Sequence, residues 1–225
     1  MEAERFSPLD EASLSAEQRR VREAILAGAR GAYLGTTRGA MRGPFKALLH
    51  SPGLYDAAQR LGEYVRFRTV LPRALSELAI LLTGRRWTAQ YEWYMHRKLA
   101  LEAGLSPAIA DAIALGERPA AMSEDEAAVH DFAHALLWRG GVSDAQFAAV
   151  RERFGEAGVA DLVGTLGYYS LISMVLNVDR TQVPDDAVLL KPAKSEGDDV
   201  RHHGGHAGSD HDRRHAVRKK QRPRT

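Results

Sequence analysis

The chain contains no cysteine. That excludes disulfides, thiolate zinc sites, iron–sulfur clusters and cysteine nucleophiles within it. It also lacks an apolar run of the roughly 18–20 residues needed to span a bilayer. Its opening residues, Met1 to Arg5, are acidic and have no apolar stretch behind them, unlike a secretory leader. The expectation is a cytoplasmic protein with no membrane partner. No segment alternates apolar and polar residues over a useful length, so strands are not expected. Aromatic residues make up only 7 % of the chain, so a place where several gather stands out.

A large excess of charge is missing too. The net charge is +2. Residues 201–225 hold eight Arg and Lys against Asp210 and Asp212, a local charge of +6, which leaves −4 for the preceding 200 residues. The basicity belongs to the tail and not to the domain, which argues against a nucleic-acid partner. His202, His203, His206, His211 and His215 lie in this tail among Gly, Asp and Arg. Such a segment cannot bury enough apolar surface to offset its chain entropy, so disorder is expected from about residue 185. Loose metal or polyanion binding is one reading of it. A solvated appendage is the other.

What is present is helical periodicity. Residues 1–15 read as polar and loose. Val21, Ile25 and Leu26 mark a helix over 16–29. Gly28, Gly31, Gly35, Gly39 and Gly43 then mark a loop, a flexible gateway or an oligomer contact. No strand precedes them, so they are not a nucleotide-binding fingerprint. Pro44 and Pro52 each suit the first position of a helix, the second with Leu54, Ala58, Leu61 and Val65 on one face. A helix follows Pro72, with Leu75, Leu78, Ala79 and Leu82 turned inward and Gly84 interrupting it near its end. Another spans 88–103 and stops at Gly104. Ser106-Pro107 starts one to about Leu115. Ser123 with Glu126, and Ser143 with Gln146, have capping-box spacing. A long apolar helix fits 158–178, with Val163, Leu166, Leu171, Met174 and Val175. The fold class expected is all-α, with seven to nine helices.

The aromatic concentration falls in Trp87-Thr88-Ala89-Gln90-Tyr91-Glu92-Trp93-Tyr94-Met95-His96. Glu92 and His96 are one helical turn apart and share a face. A carboxylate there favours the charged imidazole and orients it, and such a ring can serve as a general acid or base. The plain alternative is a surface Glu–His pair. Glu77 lies in an apolar helix and is either exposed or buried with a partner, because an isolated buried carboxylate is costly. Periodicity does not decide between the two.

Leu71-Pro72-Arg73-Ala74-Leu75-Ser76-Glu77-Leu78-Ala79-Ile80-Leu81, then Tyr91-Glu92-Trp93, His96, Ala100 and Ala103-Gly104-Leu105, resemble the carboxymuconolactone decarboxylase family. Gly43-Pro44-Phe45, Leu49-His50-Ser51-Pro52 and the Tyr168-Tyr169 helix ending at Asn177 extend the likeness over residues 43–184. The resemblance implies a multi-helical, alkyl hydroperoxidase D-like bundle. Three regions follow: an extension and Gly-rich loop over 1–42, the helical domain over 43–184, and the tail over 185–225. In the peroxidase branch of that fold a Glu, a Cys-x-x-Cys pair and a His form a proton relay. Here Ala89 and Glu92 stand at the cysteine positions, so thiol peroxidase chemistry is closed to this chain. The decarboxylase branch instead implies catalysis by His96, Glu92 and Glu77 with no cofactor and no metal.

The implied reaction is loss of carbon dioxide from an unsaturated lactone acid. His96 protonates carbon, Glu92 holds the ring's tautomer and raises its basicity, and Glu77 completes the relay. The implied partners are a small-molecule substrate, an organic acid or lactone, and further copies of the chain in a trimer or hexamer. The non-catalytic alternative is a member of the family that binds a small acid or serves as an oligomeric scaffold. An anionic substrate also wants a cation, and Arg42, Arg73, Arg85 and Arg86 are available. His130 and His134 have zinc-compatible spacing but no third ligand placed by the sequence, so a half-exposed helix face is the preferred reading. His50 is read as a helix-end residue.

Overall fold

Three serines set helix starts by the same local chemistry. Ser15, Ser123 and Ser143 each accept a hydrogen bond from the backbone three residues on, and the side chains of Gln18, Glu126 and Gln146 each accept one from the serine backbone N–H. Two orphan donors are thereby satisfied at each start. The computed structural model describes residues 3–29, 31 and 42–191. Its helices are α1 (Ala16–Ala27), α2 (Pro44–Leu48), α3 (Pro52–Phe67), α4 (Arg73–Trp87), α5 (Gln90–Glu102), α6 (Pro107–Leu115), α7 (Glu124–Arg139) and α8 (Asp144–Asp179). A single 3-10 turn, Glu11–Ser13, precedes α1. The class is all-α, with no strand among the described residues.

The central element is α4. Every residue from Leu75 to Arg85 is buried. A helix apolar on all sides must be surrounded, and α5, α6, α7 and α8 all pack against it. Leu78 and Leu81 are fully enclosed. On the side of α7 and α6 the core contains Phe132, Val129, Ile109 and Ile113. On the other side Ile80 joins Val21 and Ile25 of α1, Tyr55 of α3 and Tyr168, Tyr169 and Ile172 of α8. Gly84 does not interrupt α4, which runs on to Trp87.

A two-residue link turns the chain from α4 into α5. Thr88 takes the left-handed conformation, φ 48°, and Ala89 N–H donates to Gly84 C=O at 2.9 Å. Links this short join neighbouring antiparallel helices, so α5 folds back along α4. Asn177 of α8 donates to the Trp87 carbonyl at 2.8 Å and ties the link to the C-terminal end of α8.

Helix α8 breaks at Gly155 (φ 70°, ψ 178°). Only glycine takes that conformation without strain, which is why the capped start at Ser143 and the apolar stretch after Gly158 read as two helices in sequence. By length and composition α8 could cross a membrane, but more than half of its most apolar stretch is buried inside the bundle. Part of its apolar set faces outward. Val163 and Met174 are 45 % and 41 % exposed. In α3 the buried face is Tyr55, Ala58, Gly62 and Val65, whereas Leu54 and Leu61 point outward.

Two regions expected to be loose are packed. At the N-terminal side, Phe6 N–H donates to the Asp179 carboxylate at 2.9 Å and Arg5 N–H to the Asp179 carbonyl at 2.9 Å. Leu14 is buried. Near residue 190, Leu190 is buried in the core and both its peptide groups bond the Gln90 amide, at 2.8 and 2.9 Å. Periodicity finds neither, because both are single extended anchors without a repeating pattern. Most of the glycine loop and the His-rich segment over 201–225 lie outside the described residues.

Candidate functional site

The polar residues of α4 lie inside an apolar core and so need partners. Thr83 returns its hydroxyl to the Ala79 carbonyl at 2.9 Å, and Arg85 donates to the Lys191 carbonyl at 2.6 Å. Glu77 finds its partner on α5. Its Oε2 lies 2.7 Å from His96 Nδ1. The other ring nitrogen, His96 Nε2, lies 3.1 Å from Glu92 Oε1 on the same helix. That second contact is poorly aligned for a hydrogen bond, and Glu92 Oε1 has no other partner; it acts chiefly as an ion pair. Glu77, Glu92 and His96 are 3 %, 3 % and 6 % exposed.

These distances determine the charge state. A carboxylate beside each nitrogen favours a proton on both, so the ring is an imidazolium. Burial works strongly in the opposite direction, but Glu92's charge and Glu77's hydrogen bond outweigh it, and the His96 pKa rises from 6.5 to about 9. The tautomer role expected for Glu92 therefore has nothing to select in the resting state. Glu77 makes the shorter contact.

The third wall comes from α8. The Tyr169 ring meets His96 edge to face, with centroids 5.0 Å apart, and Tyr168 packs on Tyr169 in the same manner at 5.1 Å. Tyr169 had no assigned role in the sequence reading. The available signal was an aromatic pair in mid-helix within a chain poor in aromatics.

Two cavities lie beside the cluster. One of about 540 Å³ is lined by Arg42, Gly43, Lys46, Tyr91, Tyr94 and Met95, with Glu4 and residues 181–184. A second of about 380 Å³ shares Tyr91 and residues 181–183 with it. Neither is lined by Glu77, Glu92 or His96. Tyr91 and Met95 directly precede Glu92 and His96, so cavity and cluster flank the same two turns of α5.

The four candidate arginines now separate. Arg85 is buried and bonded to Lys191, and burial lowers its pKa. Arg86 donates to the Leu137 carbonyl at 3.0 Å and lies over Trp87 and Trp138. Arg73 is exposed at the start of α4. Arg42 alone of the four lines the larger cavity.

The histidine pair of α7 forms a stack. His134 lies 5.9 Å from His130 and 4.5 Å from Trp138, nearly parallel to both. His130 is buried, its Nδ1 lies 2.9 Å from Asp131, and burial lowers its pKa despite that neighbour. Asp131 in turn is gripped by both arms of Arg118 at 2.9 Å, which holds its pKa down. Among the described residues no three histidine or acidic side chains gather as a metal site requires. His50 follows α2, where its Nε2–H donates to the Ser7 carbonyl at 3.1 Å and its ring packs on Phe6.

Compared with known protein families, with curated proteins and with solved structures, the chain matches none.

Proposed function

We propose that the protein is a cofactor-independent small-molecule enzyme of the carboxymuconolactone decarboxylase type. In this reading it acts on an unsaturated lactone or related carboxylic acid through a Glu–His proton-transfer site. The observation that carries the reading is the buried Glu77–His96–Glu92 cluster, in which an imidazolium is held between two carboxylates at 2.7 and 3.1 Å. A proton donor kept charged at neutral pH and shielded from water suits protonation of a carbanion.

The chemistry balances without an added electron carrier. The bond from the lactone carbon to the carboxylate breaks, and carbon dioxide leaves. The electron pair delocalises into the conjugated carbonyl as a dienolate. His96 then gives its proton to carbon, Glu77 and Glu92 stabilise the imidazolium before the transfer, and a proton taken up from solvent recharges the ring after it. Tyr169 holds the ring plane.

Assembly into a trimer or hexamer in the cytoplasm belongs to the same reading. Leu61, Phe67, Val163 and Val178 are 44 %, 46 %, 45 % and 53 % exposed on the neighbouring helices α3 and α8. Exposed apolar side chains of that kind support association.

One observation favours a second reading. Both ring nitrogens of His96 are already engaged, and neither cavity is lined by the cluster. That arrangement also suits a structural ion-pair core in a protein that binds a small acid without turning it over, or that serves as an oligomeric scaffold. A screen of unsaturated lactone acids and β-keto acids for carbon dioxide release separates the two. Release that disappears in His96→Ala and falls at least about tenfold in Glu92→Gln supports the enzyme. Release unchanged in His96→Ala, or no release from any acid, overturns it.

A further inference from the structure

We propose that the cavity of about 540 Å³ beside α5 binds a small organic monoanion with a flat apolar body, and that Arg42 holds its carboxylate. The choice of a carboxylate rests on the reading above; the argument for a single negative charge comes from the charges lining the cavity. Its volume lies within the range of small-molecule sites. Three charged side chains line it: Glu4, Arg42 and Lys46. Two of them are already matched. The Lys46 ammonium lies 2.6 Å from Glu4 and 3.1 Å from Asp179. The other oxygen of Glu4 accepts Gln182 N–H at 3.2 Å.

Arg42 is different. Its side chain is exposed into the cavity and makes no hydrogen bond or ion pair among the described residues. The one charge facing the cavity without a side-chain partner among the described residues is therefore that of Arg42. A guanidinium offers a fork of parallel donors that fits a carboxylate better than a point charge does. Tyr91, Tyr94 and Met95 supply apolar surface to the same cavity. A flat, unsaturated or aromatic body packs against such a surface.

The position of Arg42 is set by its neighbour. Gly43 adopts φ 58°, and a Cβ there would fall 2.8 Å from the Tyr91 ring. The backbone after Arg42 is pressed against that ring in a conformation only glycine takes freely. Arginine and aromatic wall are thus held together. Because Tyr91 and Met95 each precede a member of the Glu92–His96 pair, a ligand on this wall lies along the same turns of the helix as the imidazolium.

The test uses the full chain carrying ¹³C-methyl methionine. Met95 lines the cavity, while Met122 and Met174 do not and serve as internal controls. Benzoate is the probe and benzamide its neutral counterpart. The expected result is a saturable shift of the Met95 methyl with benzoate and no shift of Met122 or Met174. Benzamide should bind at least about tenfold more weakly, and Arg42→Met should weaken benzoate by a similar factor, as loss of a charged hydrogen bond implies. His96→Ala should still bind. An unmoved Met95 signal, equal binding of benzamide, or unchanged binding in Arg42→Met overturns the site.

The two readings fail separately. Arg42-dependent benzoate binding without carbon dioxide release from any acid would leave the site standing and sink the enzyme. Carbon dioxide release with unchanged KM in Arg42→Met would do the reverse.

Discussion

His96 Nδ1 lies 2.7 Å from Glu77 Oε2, across a sequence separation of 19 residues and a change of helix. With Glu92 on the opposite nitrogen, the ring carries a charge that its burial alone would remove. The first expected outcome is a direct titration. The imidazole signal of His96 should titrate near 9 instead of 6.5. Glu77→Gln and Glu92→Gln should each lower that value by about 1–2 units, because each removes one of the charges opposing desolvation. NMR of the ring protons across pH 5 to 10, roughly the span around both values, checks it. A His96 pKa unchanged in both variants would remove the basis for a charged resting state.

The same shift predicts the pH dependence of stability. A histidine whose folded pKa is above its unfolded value stabilises the fold fully below the unfolded value and loses that contribution as pH rises through the folded one. The window is therefore 6.5 to about 9. Wild-type stability should fall across it by an amount on the order of 3 kcal/mol. His96→Gln should be less stable at neutral pH and show a flatter profile. Urea melts at a series of pH values measure both. In the enzymatic reading, turnover should fall over the same upper limb as the donor is lost.

Much of the helix pattern was legible because caps and prolines act locally. Ser123, Ser143, Pro44, Pro52 and Pro107 start helices where their chemistry requires. The inward faces were less legible. In α3 the apolar residues Leu54 and Leu61 lie outside while Gly62 lies inside. Apolar identity and burial part company wherever close helix packing favours a small residue; Val65 sits 3.7 Å from where a Cβ at Gly164 would be.

At the candidate site, the Glu92–His96 pairing follows from spacing within one helix. The burial of Glu77 does not, since a single Glu in an apolar helix is compatible with either face. The packing of α5 and α8 around α4 decides it. Arg42 and the Asp179 anchor depend on contacts between distant segments and leave no periodic trace.

Asp179 supplies the next prediction. Its side chain is fully buried and accepts from Phe6 N–H at 2.9 Å and Thr181 Oγ1 at 3.0 Å, with Lys46 at 3.1 Å. Burial opposes its charge, but these partners prevail and hold its pKa below the usual value. Its stabilising contribution is present above the unfolded value of 3.8 and is lost as pH falls through the lower folded value. Asp179→Ala leaves Phe6 N–H without its acceptor and Lys46 with Glu4 as its remaining partner, and should destabilise the fold by about 1–3 kcal/mol. It should also free the residues before Leu14 for proteolysis. Limited digestion read by mass spectrometry distinguishes this from general unfolding, because α4 and α5 should remain protected when the N-terminal segment is first cut.

The exposed apolar face supplies the last. Leu61 and Phe67 on α3 lie outside the core, as do Val163 and Val178 on α8, and α3 packs along α8. Full burial of such a side chain is worth about 1.5–3 kcal/mol relative to full exposure; these are about half exposed, so a partner surface gains roughly half of that at each. Light scattering coupled to size exclusion should give a trimer or hexamer for the wild type. The pair Leu61→Glu and Val163→Glu, both at solvent-facing positions, should shift it to monomer while the helical circular dichroism stays unchanged. A wild-type monomer at high concentration would remove the oligomer from the proposal. A double variant that stays assembled would mean that a different face makes the contact.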